Sequence, residues 1–151
     1  MNPDHLLEQA ESLITGMSPK RPRQADLRRG ISTAYYAVLH FVMAALVDLV
    51  LGKTVPKDAN YARVYRSLNH ADVKSRANDV RAIGGKVKAF IDAAVILQND
   101  RLEADYNPLF RVTKSDALTK VKLARSAIDS FNDASESDQI SCLVALLFKE
   151  R

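Results

Sequence analysis

From Ala34 to Leu51 every position is apolar or tyrosine except His40 and Asp48. Within and just before this run Ile31, Ala34, Tyr35, Val38, Val42, Ala45, Leu46 and Leu49 recur at helical spacing. The rest of the circumference is apolar too, so the helix should be buried on most sides. A helix of that kind needs other helices around it, and the run is expected to be the centre of a bundle. Its length is near the lower limit of roughly 18 residues for a membrane span. A histidine and an aspartate inside it would be costly in lipid, and the other segments are amphipathic, as bundle partners are. No membrane contact is expected.

The polar residues that remain on the central helix are therefore informative. Ser32, Tyr36 and His40 recur every fourth position and line one face. Arg29 lies one turn below Ser32 or Thr33.

The flanking pattern is helical throughout. A chain of 151 residues makes one domain, 1–151, with a real core. With five Gly, five Pro and few alternating stretches, it reads as all-α. The expected architecture is an up-and-down bundle of four to five main helices with a short C-terminal helix. Asn2 caps a first helix with Pro3 at its first position. Leu6, Leu7, Ala10, Leu13 and Ile14 form its stripe and Gly16 ends it. The link Met17 to Pro22 carries Pro19 and cannot continue a helix. The central helix ends near Gly52, and Lys53 to Asp58 is a loop. A third helix from about Ala59 turns Tyr61, Val64, Tyr65 and Leu68 inward. Asn69 or His70 ends it or caps the next turns, where Val73, Ala77, Val80 and Ile83 face in and Lys74, Arg76 and Arg81 face out. Gly84-Gly85 interrupts. A fourth helix spans about Lys86 to Tyr106, with Val87, Phe90, Ile91, Ala94, Val95, Leu97 and Leu102 as its core face. Asn107-Pro108 stops it, because a residue before proline is pushed out of helical geometry. Thr113 or Ser115 caps a fifth helix, with Ala117, Val121, Ala124, Ile128 and Phe131 inward. Asp129 to Asp138 is acidic and polar. In the tail, Gln139 to Arg151, one stripe holds Ile140, Leu143, Val144 and Leu147, with Cys142 and Phe148 beside it. That tail closes the bundle or covers a subunit contact.

Three His and one Cys without ligand spacing make a metal site unexpected, and no glycine-rich loop is built to cradle a phosphate, so no cofactor is expected. The single cysteine excludes an intrachain disulfide and fits a reducing compartment. The N-terminus lacks a basic region leading into an apolar run, so no secretory signal is expected and the location should be cytoplasmic. Lys and Arg number 22 against 18 Asp and Glu, a net charge of +4 that is compatible with a nucleic-acid partner. Lys20, Arg21, Arg23, Arg28 and Arg29 are opposed locally only by Asp26. They are either a solvated helix start or a patch that faces phosphates.

What remains is a set of polar residues in otherwise buried helices: Tyr36, His40, His70, Arg101, Asp105 and Tyr106. Buried polar groups need partners, so some of these should meet. Asp105 sits in the last turn of its helix, where an acid is electrostatically misplaced. It should have a cationic partner, for which Arg101, one turn earlier, is a candidate. An Arg101–Asp105 pair that only fixes helix register is an open alternative to a functional site.

Arg29-Gly-Ile-Ser-Thr-Ala-Tyr35-Tyr36-Ala-Val-Leu-His40, then His70 in mid-chain, then Arg101-Leu-Glu-Ala-Asp105-Tyr106-Asn107 resemble the landmarks of HEPN (higher eukaryote and prokaryote nucleotide-binding) domains over roughly Asp26 to Phe131. The resemblance implies a helical bundle that pairs into a homodimer. Many members are metal-independent ribonucleases, often toxins silenced by a minimal nucleotidyltransferase antitoxin. Others are nucleotide-binding or non-catalytic partner modules. The nuclease members carry an Arg followed by four to six residues and a His. Here Arg101 matches the Arg, but the fifth position after it is Tyr106 and no His follows. Two functions follow as expectations. In one the chain is a module that binds RNA, a nucleotide or a partner protein through the Arg101, Asp105 and Tyr106 group near His40 and Tyr36, with Asn107 and Arg29 in the same polar cluster, or the group merely braces the bundle. In the other it is an endoribonuclease in which Arg101 holds the scissile phosphate and His40 or His70 replaces the missing base.

Overall fold

The computed structural model describes residues 1–16 and 22–149. Helices are α1 Pro3–Thr15, α2 Gln24–Leu51, α3 Ala59–Tyr65, α4 His70–Ser75, α5 Ala77–Ile83, α6 Gly85–Tyr106, α7 Lys114–Asp133 and α8 Glu136–Leu147, and no strand occurs among the described residues. The Met17 to Arg21 part of the proline-containing link, with Lys20 and Arg21 of the basic group, lies outside the described residues, as does the end of the tail.

Local chemistry sets most boundaries. The Asn2 side chain accepts from the Asp4 N–H at the start of α1, Asn69 and Asp72 form a reciprocal capping box on α4, and Thr113 and Ser135 cap α7 and α8. Gly84 and Gly85 stand at φ of 80° and 57°, left-handed values that glycine alone adopts freely, and they let α5 turn into α6.

The 28-residue α2 is the centre, with α1, α6 and α7 packed along it. It is also the one helix among the described residues long and apolar enough to cross a membrane. Here that apolar surface is largely spent on its neighbours: Ile31, Ala34, Tyr35, Val38, Val42 and Leu46 are all buried. α6 runs antiparallel to it, since Arg28 meets Ala104 near one end while Val38 and Val42 share a small void with Phe90 and Ile91 nearer the other. α7 runs parallel, Gln24 meeting Val112 and Phe41 stacking edge-on against Phe131. That interior void is about 10 Å³, room for no more than about one water. That void is too small to hold a ligand.

α1 crosses α2 closely. A Cβ at Gly30 would lie 2.5 Å from Ile14 Cγ1 and 3.1 Å from the Ala10 carbonyl, so only glycine fits that point of α2.

α7 continues through Asp129 to Asp133, and α8 restarts at Glu136, so the acidic and polar stretch Asp129 to Asp138 is helix, break and helix. Three expectations are corrected. In the tail the buried positions are Cys142, Leu143 and Leu146, whereas Ile140 and Val144 stay 41% and 43% exposed. The helix turns the other side of an almost uniformly apolar segment inward. Leu102 is 40% exposed because the last turns of α6 face solvent on that side. Arg76 and Arg81 are half-buried rather than outward: Arg76 donates to the Leu146 carbonyl at 3.0 Å and Arg81 pairs with Asp92 at 2.6 Å.

Candidate functional site

The last turns of α6 lie against the first half of α2, and there Arg101 and Asp105 meet Ser32 and Tyr36. Arg101 Nη2 donates to Tyr36 Oη at 3.0 Å. Its Nε lies 2.8 Å from Asp105 Oδ2, with the two side chains 12% and 22% exposed. That contact is a charge pair rather than an aligned hydrogen bond, since the Nε N–H is not directed at an acceptor. Ser32 Oγ donates to the other Asp105 oxygen at 2.7 Å. The guanidinium carbon is 5.6 Å from the Tyr36 ring centre and 5.4 Å from that of Tyr106, within cation–π range of both. Burial works against the Arg101 charge, but the Tyr36 and Asp105 oxygens outweigh it and its pKa is raised. Tyr106 is 69% exposed, so its ring is a solvent-facing plate backed by a cation.

Beside this cluster α2 exchanges tyrosines and histidines with the short helices. His40 Nδ1 is 2.6 Å from Tyr65 Oη, and Tyr35 Oη is 3.0 Å from His70 Nδ1. Each side of the joint contributes one tyrosine and one histidine. Gln98 Nε2 adds a bond of 2.6 Å to the His70 carbonyl. The Tyr36 ring stands between the joint and Arg101, 6.5 Å from the His40 ring and 5.8 Å from the His70 ring. Burial lowers the pKa of both histidines, helped at His70 by the Arg101 charge, and it pushes Tyr35 and Tyr65 up. Near neutral pH the joint is thus uncharged. Each imidazole commits Nδ1 to a hydroxyl, which leaves Nε2 as a donor or an acceptor according to the tautomer.

This has a consequence for pH. The unfolded histidines protonate as pH falls through about 6.5, while the folded ones resist until lower pH. The unfolded state then binds more protons, so stability is complete above that value and is lost below it. The melting temperature is expected to fall between about pH 7.5 and 5.5, and His70→Gln should flatten that slope measurably. An unchanged slope in His70→Gln would contradict the assignment.

On the other flank of Arg101, Arg28 donates from Nε to the Ala104 carbonyl at 2.6 Å and from Nη2 to the Asn107 carbonyl at 2.9 Å. Gln24 exchanges two bonds with the Val112 backbone, at 2.8 and 3.1 Å. Arg29 is exposed and lines a shallow groove of about 340 Å³ with Gln24, Ala25, Arg28, Ala104 and Asp105. Asn107 is occupied within its own turn, donating to Glu103 at 2.6 Å and accepting from the Leu109 N–H at 2.9 Å.

Of the residues singled out in the sequence, Tyr36, Arg101, Asp105 and Tyr106 thus form one cluster. His40 and His70 stand behind Tyr36 without touching Arg101, and Arg29 opens onto the adjoining groove. Tyr35, Tyr65, Gln98 and the backbone-binding role of Arg28 were not foreseen. Tyr35 reads as one more apolar position in its stripe. The usable signal was that a buried tyrosine hydroxyl needs a partner. Among the described residues no group of three or more His, Cys, Asp or Glu is arranged to hold a metal ion. No protein-family model matches the chain, and neither curated proteins nor solved structures give a match.

Proposed function

We propose that this chain is a HEPN-like module that binds single-stranded RNA at the α2–α6 surface without cleaving it. The observation that carries this reading is the exposed Tyr106 ring with the Arg101 guanidinium behind it. Exposed aromatic rings stack on unpaired bases, and a cation at the rear face strengthens such a contact. Arg29, exposed in the adjoining groove, supplies charge for the neighbouring phosphate. Arg101 itself is held by Tyr36 and Asp105. It would have to leave both to grip a scissile phosphate.

The second reading, a metal-independent endoribonuclease working as a homodimer, draws on the two uncharged histidines behind Tyr36. His40 or His70 would take the ribose 2′-hydroxyl proton. In either reading the protein acts in the cytoplasm, and the resemblance suggests a minimal nucleotidyltransferase as antitoxin partner.

Titrating a labelled single-stranded RNA with EDTA present separates the readings. Binding without strand scission is expected. Tyr106→Ala should weaken it about tenfold, from loss of one stacked base. Arg29→Ala should reduce the salt slope by about one. Scission that disappears in Arg101→Ala would establish the second reading, and absence of binding would remove the first.

A further inference from the structure

Phe41, Ala45 and Leu49 of α2 follow one another at intervals of four and line one side of an open groove of about 770 Å³. Glu136, Ile140 and Leu143 of α8 line the other side, also at helical spacing. Two helix faces that meet in this way leave the seat of a third helix. The seat is roughly two turns long, since Phe41 to Leu49 rises about 12 Å. Its floor is apolar and open, Leu49 and Ile140 being 36% and 41% exposed. Its rim is acidic: Asp48 and Glu136 border it, opposed by Lys53. Neither acid pairs with a cation among the described residues. Asp48 lies in the last turn of α2, where the helix dipole opposes an anion. Beside Glu136, residues 129–138 hold Asp129, Asp133 and Asp138 and no Lys or Arg, in a chain whose net charge is +4.

We propose that this groove seats an amphipathic helix of a partner protein, apolar along one stripe and bearing Lys or Arg beside it. The shape selects a helix. Two rows of side chains at helical spacing make a trough that a rod of about 10 Å diameter fills. An extended peptide finds no free backbone edge there, because both walls are helices whose peptide groups bond internally. The charge selects a basic partner. A cation placed beside Asp48 and Glu136 gains two carboxylates that have no partner of their own, and the acidic rim steers and orients it. A second copy in two-fold contact would bring the same acids to both sides of the interface, and the acids also repel an anionic lipid surface. The groove shares no residue with the Arg101 cluster, so its test and the RNA titration fail separately.

Fluorescence anisotropy of a labelled synthetic helix of roughly 18 residues, with Leu on one face and Lys on the rest, tests this against the full chain. Binding is expected, about tenfold tighter or more than that of the same peptide with Glu in place of Lys. A scrambled peptide, its Leu spread round the helix, should bind as weakly as the Glu form. Ile140→Lys, at an exposed position, should weaken binding about tenfold and leave the circular-dichroism melt unchanged. Asp48→Lys together with Glu136→Lys should reverse the preference, so that the Glu peptide binds better. No binding by the wild type, equal binding of the scrambled peptide, indifference to Ile140→Lys or an unreversed preference would each overturn the proposal. Self-association of the chain, or binding to phosphatidylcholine vesicles, that Ile140→Lys abolishes would do so too, since the groove would then belong to a second copy or to lipid.

Discussion

Arg101→Ala is expected to lower the free energy of unfolding by about 1.5–3 kcal/mol, the range for hydrogen bonds to charged groups. The guanidinium links three groups that the fold has drawn from water: Tyr36 Oη, the Asp105 carboxylate and, through it, Ser32. Removing it leaves the carboxylate with the Ser32 hydroxyl alone, in the last turn of α6 where the helix dipole opposes an anion. The corresponding fall in melting temperature is about 4–10 °C for a domain of this size. Arg101→Lys should recover little, because a point charge cannot bridge two acceptors and lie between two rings. In a double-mutant cycle Arg101→Ala and Asp105→Asn should be coupled by about 1 kcal/mol or more. Strict additivity in chemical denaturation would mean that the pair contributes nothing. The same experiment bears on function, since an arginine kept free for substrate should be removable at small structural cost.

Gly30→Val is expected to cost about 3 kcal/mol, at the upper end for overpacking a filled core. Replacing a helix-interior glycine ordinarily stabilises, by up to about 1 kcal/mol for alanine. Here the new Cβ meets Ile14 at 2.5 Å and the Ala10 carbonyl at 3.1 Å, and Ile14 is fully buried with nowhere to move. The helices must separate, and α1 loses its seat on α2. Ile14→Ala should therefore be less harmful in the Gly30→Val background than in the wild type, because it vacates the contested volume. Thermal denaturation of the four proteins measures this, and equal effects of Ile14→Ala in both backgrounds would show that the crossing is not the source of the cost.

The helix ends were legible because they are decided by neighbours in sequence. Asn2, Gly16, Gly52, Asn69, Gly84 and Thr113 act on backbone groups a few residues away. The Arg101–Asp105 pair was legible for the same reason, being two positions one turn apart with an electrostatic need. The phase of α8 was not, because Ile140 to Phe148 is apolar almost all round and only Ser141 interrupts it. Which side turns inward is then settled by where α2, α5 and α6 leave room, which is tertiary information. The tyrosine–histidine exchange was likewise hidden. Tyr35 and His70 are 35 positions apart, and no local pattern pairs them.

Arg28 and Gln24 hold the α6–α7 connection by its peptide groups and touch none of its side chains in doing so. A grip on the main chain is blind to which amino acids are gripped. α2 thus fixes the two ends of the connection, the Asn107 side chain and the packing of Phe110 and Val112 set the course between, and Leu109, which is 85% exposed, is free to become almost anything. Substitution at Leu109 can change the rim beside Tyr106 without re-aiming it.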